Sequence, residues 1–152
     1  MAIAKLSSPS TKTPVGIAGP LQTALWDGGS PARVIGYGMP TDPTGLLFEA
    51  DIPMVADGNP DDLFGSVDPT TCAGGNLLTA EDLQTMVCAG ELYGVKDSCY
   101  GDSGSPVLRP GGNVVYAVTT GGNQACRASS QKQRLDLPAV LDWLQAEIAA
   151  AG

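Results

Sequence analysis

Turn-forming residues divide this chain into short pieces. Gly19-Pro20, Gly28-Gly29, Gly38 and Pro110-Gly111-Gly112-Asn113 bound brief apolar runs, and breakers placed this way suit strands better than a helical bundle. The chain has 152 residues, with 20 glycines, 12 prolines and 5% aromatics, which favours one turn-rich all-β domain. That length is short for two barrels with their loops. The clearest strand signal is Phe48 to Met54, where Phe48, Ala50, Ile52 and Met54 alternate with Glu49, Asp51 and Pro53; period-two alternation marks a strand with one buried face, and Pro53 places it at an edge or bulge. Ala32 to Tyr37, Thr85 to Ala89, Pro106 to Leu108 and Val114 to Thr119 are further strand candidates. Met1 to Leu6 reads as the end of a strand, and the Ser/Thr/Pro-rich residues after it as a surface connection. One helix is expected at the end, with Asp136 as N-cap, Pro138 in its first turn and Val140, Leu141, Leu144 and Ile148 as its apolar stripe.

Several function classes are excluded by what the chain lacks. Eight basic and 16 acidic side chains give a net charge of −8 with no basic stripe, so nucleic acid is not an expected partner. No apolar run is long enough to cross a bilayer, and no leader precedes the fold, so an export signal is expected to lie outside this chain. The acidic segment Asp57 to Pro69 does not match the spacing of a calcium-binding loop and reads as a solvated insertion. The four cysteines, Cys72, Cys88, Cys99 and Cys126, lack paired zinc-knuckle spacing and are read as two disulfides formed in an oxidising compartment. No metal and no cofactor are expected. Histidine is absent, which removes the usual general base near neutral pH.

Chemistry is concentrated in one segment. Gly101-Asp102-Ser103-Gly104 is a Gly-flanked turn able to present a serine hydroxyl beside backbone N–H groups, which is what acyl transfer requires. From Cys88 to Pro106 the chain reads CAGELYGVKDSCYGDSGSP. This segment resembles the trypsin-like serine proteases: a Cys-Ala-Gly opening, Asp97 six residues before the serine, a cysteine four before it, and the GDSG turn. Val34-Ile35-Gly36-Tyr37-Gly38 and the terminal helix with Trp143 extend the likeness outward, and residues 1–6 resemble the segment that follows the family's catalytic aspartate.

The resemblance implies a single six-stranded antiparallel Greek-key barrel with a C-terminal α-helix, the C-terminal half of a chymotrypsin-like double barrel. Residues 1–24 then form a remnant strand and linker, 25–136 the barrel and 137–152 the helix. It implies Ser103 as nucleophile, the N–H groups of Gly101 and Ser103 as oxyanion hole, and a specificity pocket built from Asp97, Ser98, Thr119 and Gly121, with cleavage after Arg or Lys. Asp102 resembles the acid that pairs with the amino terminus after zymogen activation. Cys72–Cys88 and Cys99–Cys126 match two family disulfides. The family's histidine and aspartate would both lie outside the chain, so the isolated chain is expected to be inactive. Its Asp102, unpaired, is expected to turn outward or protonate within a disordered oxyanion loop.

Departures from the family pattern bear on specificity. Gln131 to Arg134 replaces a Gly-containing segment at the back of the pocket, and Lys132 or Arg134 is placed to neutralise Asp97. The expected partners are a polypeptide substrate, the missing N-terminal barrel, and other copies of the chain through the apolar face that barrel would cover. The expected location is extracellular. The competing readings are a truncated pseudoprotease acting as a binding module and, more remotely, a Ser-Lys dyad using Lys96 or Lys132.

Overall fold

A computed structural model of the chain describes residues 1–38, 45–55, 85–91, 96–121, 126 and 129–151. Seven strands are formed: β1 (Gly16–Ile17), β2 (Pro31–Gly36), β3 (Phe48–Val55), β4 (Met86–Ala89), β5 (Pro106–Leu108), β6 (Val114–Gly121) and β7 (Ser130–Arg134). A 14-residue helix, α1 (Pro138–Ala151), closes the chain. Strands β2-β3-β4 and β5-β6-β7 are two antiparallel meanders; β2 pairs with β5 and β4 with β7, so the six strands close on themselves. Closure leaves no long unpaired edge. The expected six-stranded antiparallel barrel with one terminal helix is therefore present.

Alternation builds the core. In β2, Ala32, Val34 and Gly36 point inward; opposite them Ile52 and Met54 of β3 are buried, and Val107 and Tyr116 complete the cluster. The Tyr116 hydroxyl reaches Met54 Sδ at 3.9 Å, and burial holds its proton on well above the usual phenol range. Trp26 meets the Tyr116 ring edge-on at 4.9 Å and carries the Arg134 guanidinium at 5.2 Å, so the segment that leads into β2 is fastened to the barrel by an aromatic pair and a cation–π contact.

Four expectations are corrected. Residues 1–6 form no strand and leave Met1, Ile3 and Leu6 exposed, where water can satisfy the backbone groups that a strand would pair. The linker does contribute a strand, because β1 pairs in parallel with the start of β6, Gly16 beside Val114. Asp136 does not cap α1: its carboxylate is bound by Arg134 at 2.7 and 3.0 Å, and the helix begins beyond it at Pro138. The apolar stripe of α1 is shorter than expected, since Val140 packs beside Leu108, Val115 and Leu135 while Ile148 is 61% exposed. The acidic segment 57–69 and Cys72 lie outside the described residues.

Strand β7 has no counterpart in the sequence-based expectations. Its sequence, Ser-Gln-Lys-Gln-Arg, carries no apolar residue, and its two inward positions are Ser130 and Lys132. Register places Lys132 opposite Val87 of β4 and Thr119 of β6.

Candidate active site

The GDSG turn is held by backbone geometry. The Asp102 N–H donates to Cys99 C=O at 3.0 Å, the Ser105 N–H to Asp102 C=O at 2.8 Å, and the Gly104 N–H to Thr119 C=O at 2.8 Å. The last bond ties the turn to β6. Gly101 and Gly104 have φ of +92° and +87°, conformations that L side chains adopt only with strain. Between them Ser103 is exposed, and no described side chain hydrogen-bonds to its hydroxyl. No lysine amine among the described residues is bound to it, so the geometry lends the Ser-Lys dyad no support.

Asp102 does not turn outward. It is 7% exposed, with Oδ1 accepting from the Gly38 N–H and Oδ2 from the Cys99 N–H, both at 2.8 Å. Two backbone donors replace part of the solvation that burial removes, and they tie the serine turn to the Gly38 and Cys99 backbone. The same carboxylate explains two glycines of the Val34 to Gly38 segment, because a Cβ at Gly36 or Gly38 would overlap the Asp102 side chain. Gly36→Ala is expected to destabilise the fold by about 1–3 kcal/mol through overpacking, read as a lower urea midpoint with an unchanged m-value. An unshifted midpoint would show that Asp102 does not need this cradle.

A cavity of about 250 Å3 opens beside the serine, lined by Ser98, Cys99, Tyr100, Gly101, Ser103, Thr119 and Gly121. Five of the residues expected to form nucleophile, oxyanion hole and pocket thus share one cavity. Its wall is braced by the Cys99–Cys126 disulfide, which closes a loop of sequence separation 27, an effect of about 3.5 kcal/mol on the unfolded chain's entropy. Cys88 is also disulfide-bonded, and its expected partner, Cys72, lies outside the described residues. The described residues contain no group of three or more His, Cys, Asp or Glu side chains able to hold a metal ion.

Asp97 lies behind this cavity rather than on its wall. The side chains of Asp97 and Lys132 are both 0% exposed, with Lys132 Nζ 3.9 Å from Asp97 Oδ1. The Lys132 ammonium donates to Ser98 Oγ at 2.7 Å, Thr119 Oγ1 at 3.3 Å and Ser130 Oγ. Asp97 Oδ1 in turn accepts from the Ser98 N–H at 2.7 Å and from the Ser130 hydroxyl. Burial disfavours both charges: it raises Asp97 despite the nearby ammonium, and it pulls Lys132 down to about 8 despite Asp97 and Asp102. Of the two cations expected to reach Asp97, Lys132 does so and Arg134 does not, being engaged by Asp136 and Trp26. Ser130 was not expected at the site; its only sequence signal is its place two residues before Lys132 on one face of a strand.

The trypsin family model matches residues 1–144. A snake venom serine protease, BITS01A, from Bothrops insularis is 33% identical over 121 residues, covering 80% of this chain and 43% of its own length. The beta-fibrinogenase brevinase of Gloydius blomhoffii is 32% identical over 121 residues, covering 80% of this chain and 48% of its own, and the alpha- and beta-fibrinogenase stejnefibrase-1 of Trimeresurus stejnegeri is 32% identical over 123 residues, with 81% and 44% covered. The chain thus spans under half the length of these curated relatives. With the closed barrel, the glycine-flanked serine turn and a family match over nearly the whole length, the chain belongs to the trypsin family of serine proteases.

Proposed function

We propose that this chain is the nucleophile-bearing C-terminal barrel of a secreted serine endopeptidase, inactive until a histidine and an aspartate are supplied from outside it. The observation that carries this reading is the single cavity shared by Ser103, Gly101 and the pocket residues Ser98, Thr119 and Gly121, in a chain without histidine. In the assembled site Ser103 Oγ would bond to the scissile carbonyl carbon, its proton passing to the imidazole. The Gly101 and Ser103 N–H groups would receive the oxyanion. The C–N bond then breaks as the imidazolium protonates the leaving amine, and water hydrolyses the acyl-serine.

Asp102 is proposed as the acceptor for a new amino terminus after activating cleavage. A carboxylate has about four acceptor sites, and the Gly38 and Cys99 N–H groups use two of them. The histidine-bearing barrel is proposed to cover apolar side chains that this chain leaves exposed, Leu21, Tyr37, Leu46, Leu47 and Phe48 among them, and the chain alone is expected to self-associate through them. Asp97 at the base of the pocket would favour Arg or Lys in the substrate, a preference that Lys132 opposes.

The second reading, a binding module derived from a protease, is favoured by the Lys132 ammonium held beside Asp97. A fluorophosphonate probe separates the two. The chain alone is expected to remain unlabelled, and the product of the full coding region, upstream sequence included, to label at Ser103. Absence of labelling in a full product that carries His and Asp would favour the binding module.

A further inference from the structure

We infer that Lys132 is an internal occupant of the primary pocket: it takes, from within the barrel, the place of a substrate's cation on Asp97, so that the cavity above it selects an uncharged side chain. The inference deepens the endopeptidase reading, because it names the class of residue that the proposed pocket would receive.

The residues meet at one wall of the cavity. The cavity wall contains Ser98 and Thr119. The Lys132 ammonium donates to the hydroxyls of those same two residues, and Asp97, which accepts from the Ser98 N–H, lies 3.9 Å from it. An entering side chain therefore meets hydroxyls already engaged by an ammonium, and a carboxylate that the same ammonium accompanies. Asp97 Oδ2, which has no hydrogen-bond partner among the described residues, is buried as well and offers nothing to a ligand in the cavity.

Charge leads to the same conclusion. Lys132 and Asp97 sum to zero, so the acid no longer presents a net negative floor. A guanidinium or ammonium descending toward Ser98 would approach a like charge in surroundings of low dielectric, where repulsion is strong. The lysine cannot readily withdraw, since β7 is paired on both sides, with β4 through Val87 and with β6 through Thr119. What remains is a cavity of about 250 Å3 whose wall includes the Ser98 and Thr119 hydroxyls, suited to an uncharged side chain.

The test is made on the chain itself and does not need catalysis. Binding of benzamidine, a planar cation, is compared with binding of uncharged benzamide. The wild-type chain is expected to bind benzamidine no more tightly than benzamide, and Lys132→Ala to prefer benzamidine by about a hundredfold, a preference that Lys132→Ala/Asp97→Ala loses. A tenfold or greater preference for benzamidine in the wild type, or none in folded Lys132→Ala, overturns the inference. Should Lys132→Ala fail to fold, reductive methylation of the native wild-type chain decides: Lys132 is expected to resist while Lys5, Lys12 and Lys96 react, and equal reactivity overturns it. Failure here leaves Ser103 labelling in the full product untouched, so the pocket and the proposed enzyme class fail separately.

Discussion

Ser103→Ala is expected to leave hydrolysis of an activated ester by the isolated chain unchanged, whereas the same substitution in a protein that also carries the histidine and aspartate should lower kcat by about 10⁶-fold. The contrast follows from how the parts of a triad depend on one another. A serine hydroxyl is a weak nucleophile until a neighbour accepts its proton, and in this chain no described side chain hydrogen-bonds to Ser103, nor does the sequence contain a histidine. The backbone donors and the cavity remain, and such sites retain at most about 10³ to 10⁴ over water, to which the hydroxyl adds nothing. Steady-state rates of the four proteins check the expectation. A drop of more than tenfold on Ser103→Ala in the isolated chain would reveal a base that the structure does not place there.

The residues that announce this site in the sequence are those whose chemistry depends on local geometry. Gly101 and Gly104 flank the serine turn because glycine takes positive φ with little strain, and so the turn was legible before any fold was known. Strand β3 was equally legible, since alternation that includes Ile52 and Met54 reports a buried face, and β2 was legible as a short apolar run between glycine breakers. Strand β7 was not. Hydrophobic periodicity detects a strand only when its inward residues are apolar, and here they are Ser130 and Lys132, inward because they pack on Asp97. Similarly, the expectation for Asp102 considered only an ammonium partner; the Cys99 N–H is a local donor three residues away that it left out, whereas the Gly38 N–H comes from a segment 64 residues away and becomes visible only once the barrel is closed. The long-range part of the site was thus hidden for the same reason that its local part was plain.

The Lys132–Asp97 pair should dominate the response of stability to substitution and to pH. Lys132→Met keeps an unbranched side chain but leaves Asp97 buried without its cation, and breaking one half of a buried pair costs about 3–5 kcal/mol. Asp97→Asn with Lys132→Met removes both charges, and with them the penalty of an uncompensated buried ion, so the double variant should recover most of the loss. The pH dependence has a definite sign. The buried ammonium has its pKa lowered from 10.5 to about 8, so between those values the unfolded chain holds a proton that the folded chain has released. Stability of the wild type relative to Lys132→Met should therefore rise with pH across that window, by about 3 kcal/mol when complete. Asp97 acts in the opposite direction at the acid end. Its pKa is raised above 3.8 by burial, so its ionisation weakens the fold as pH climbs through the folded value, and more steeply once Lys132 is gone. Urea denaturation of the wild type and the two variants from pH 3 to 11 separates these contributions. A wild-type curve parallel to that of Lys132→Met between pH 8 and 10.5 would mean that the lysine is not buried against Asp97, and the internal occupant of the pocket would be lost with it.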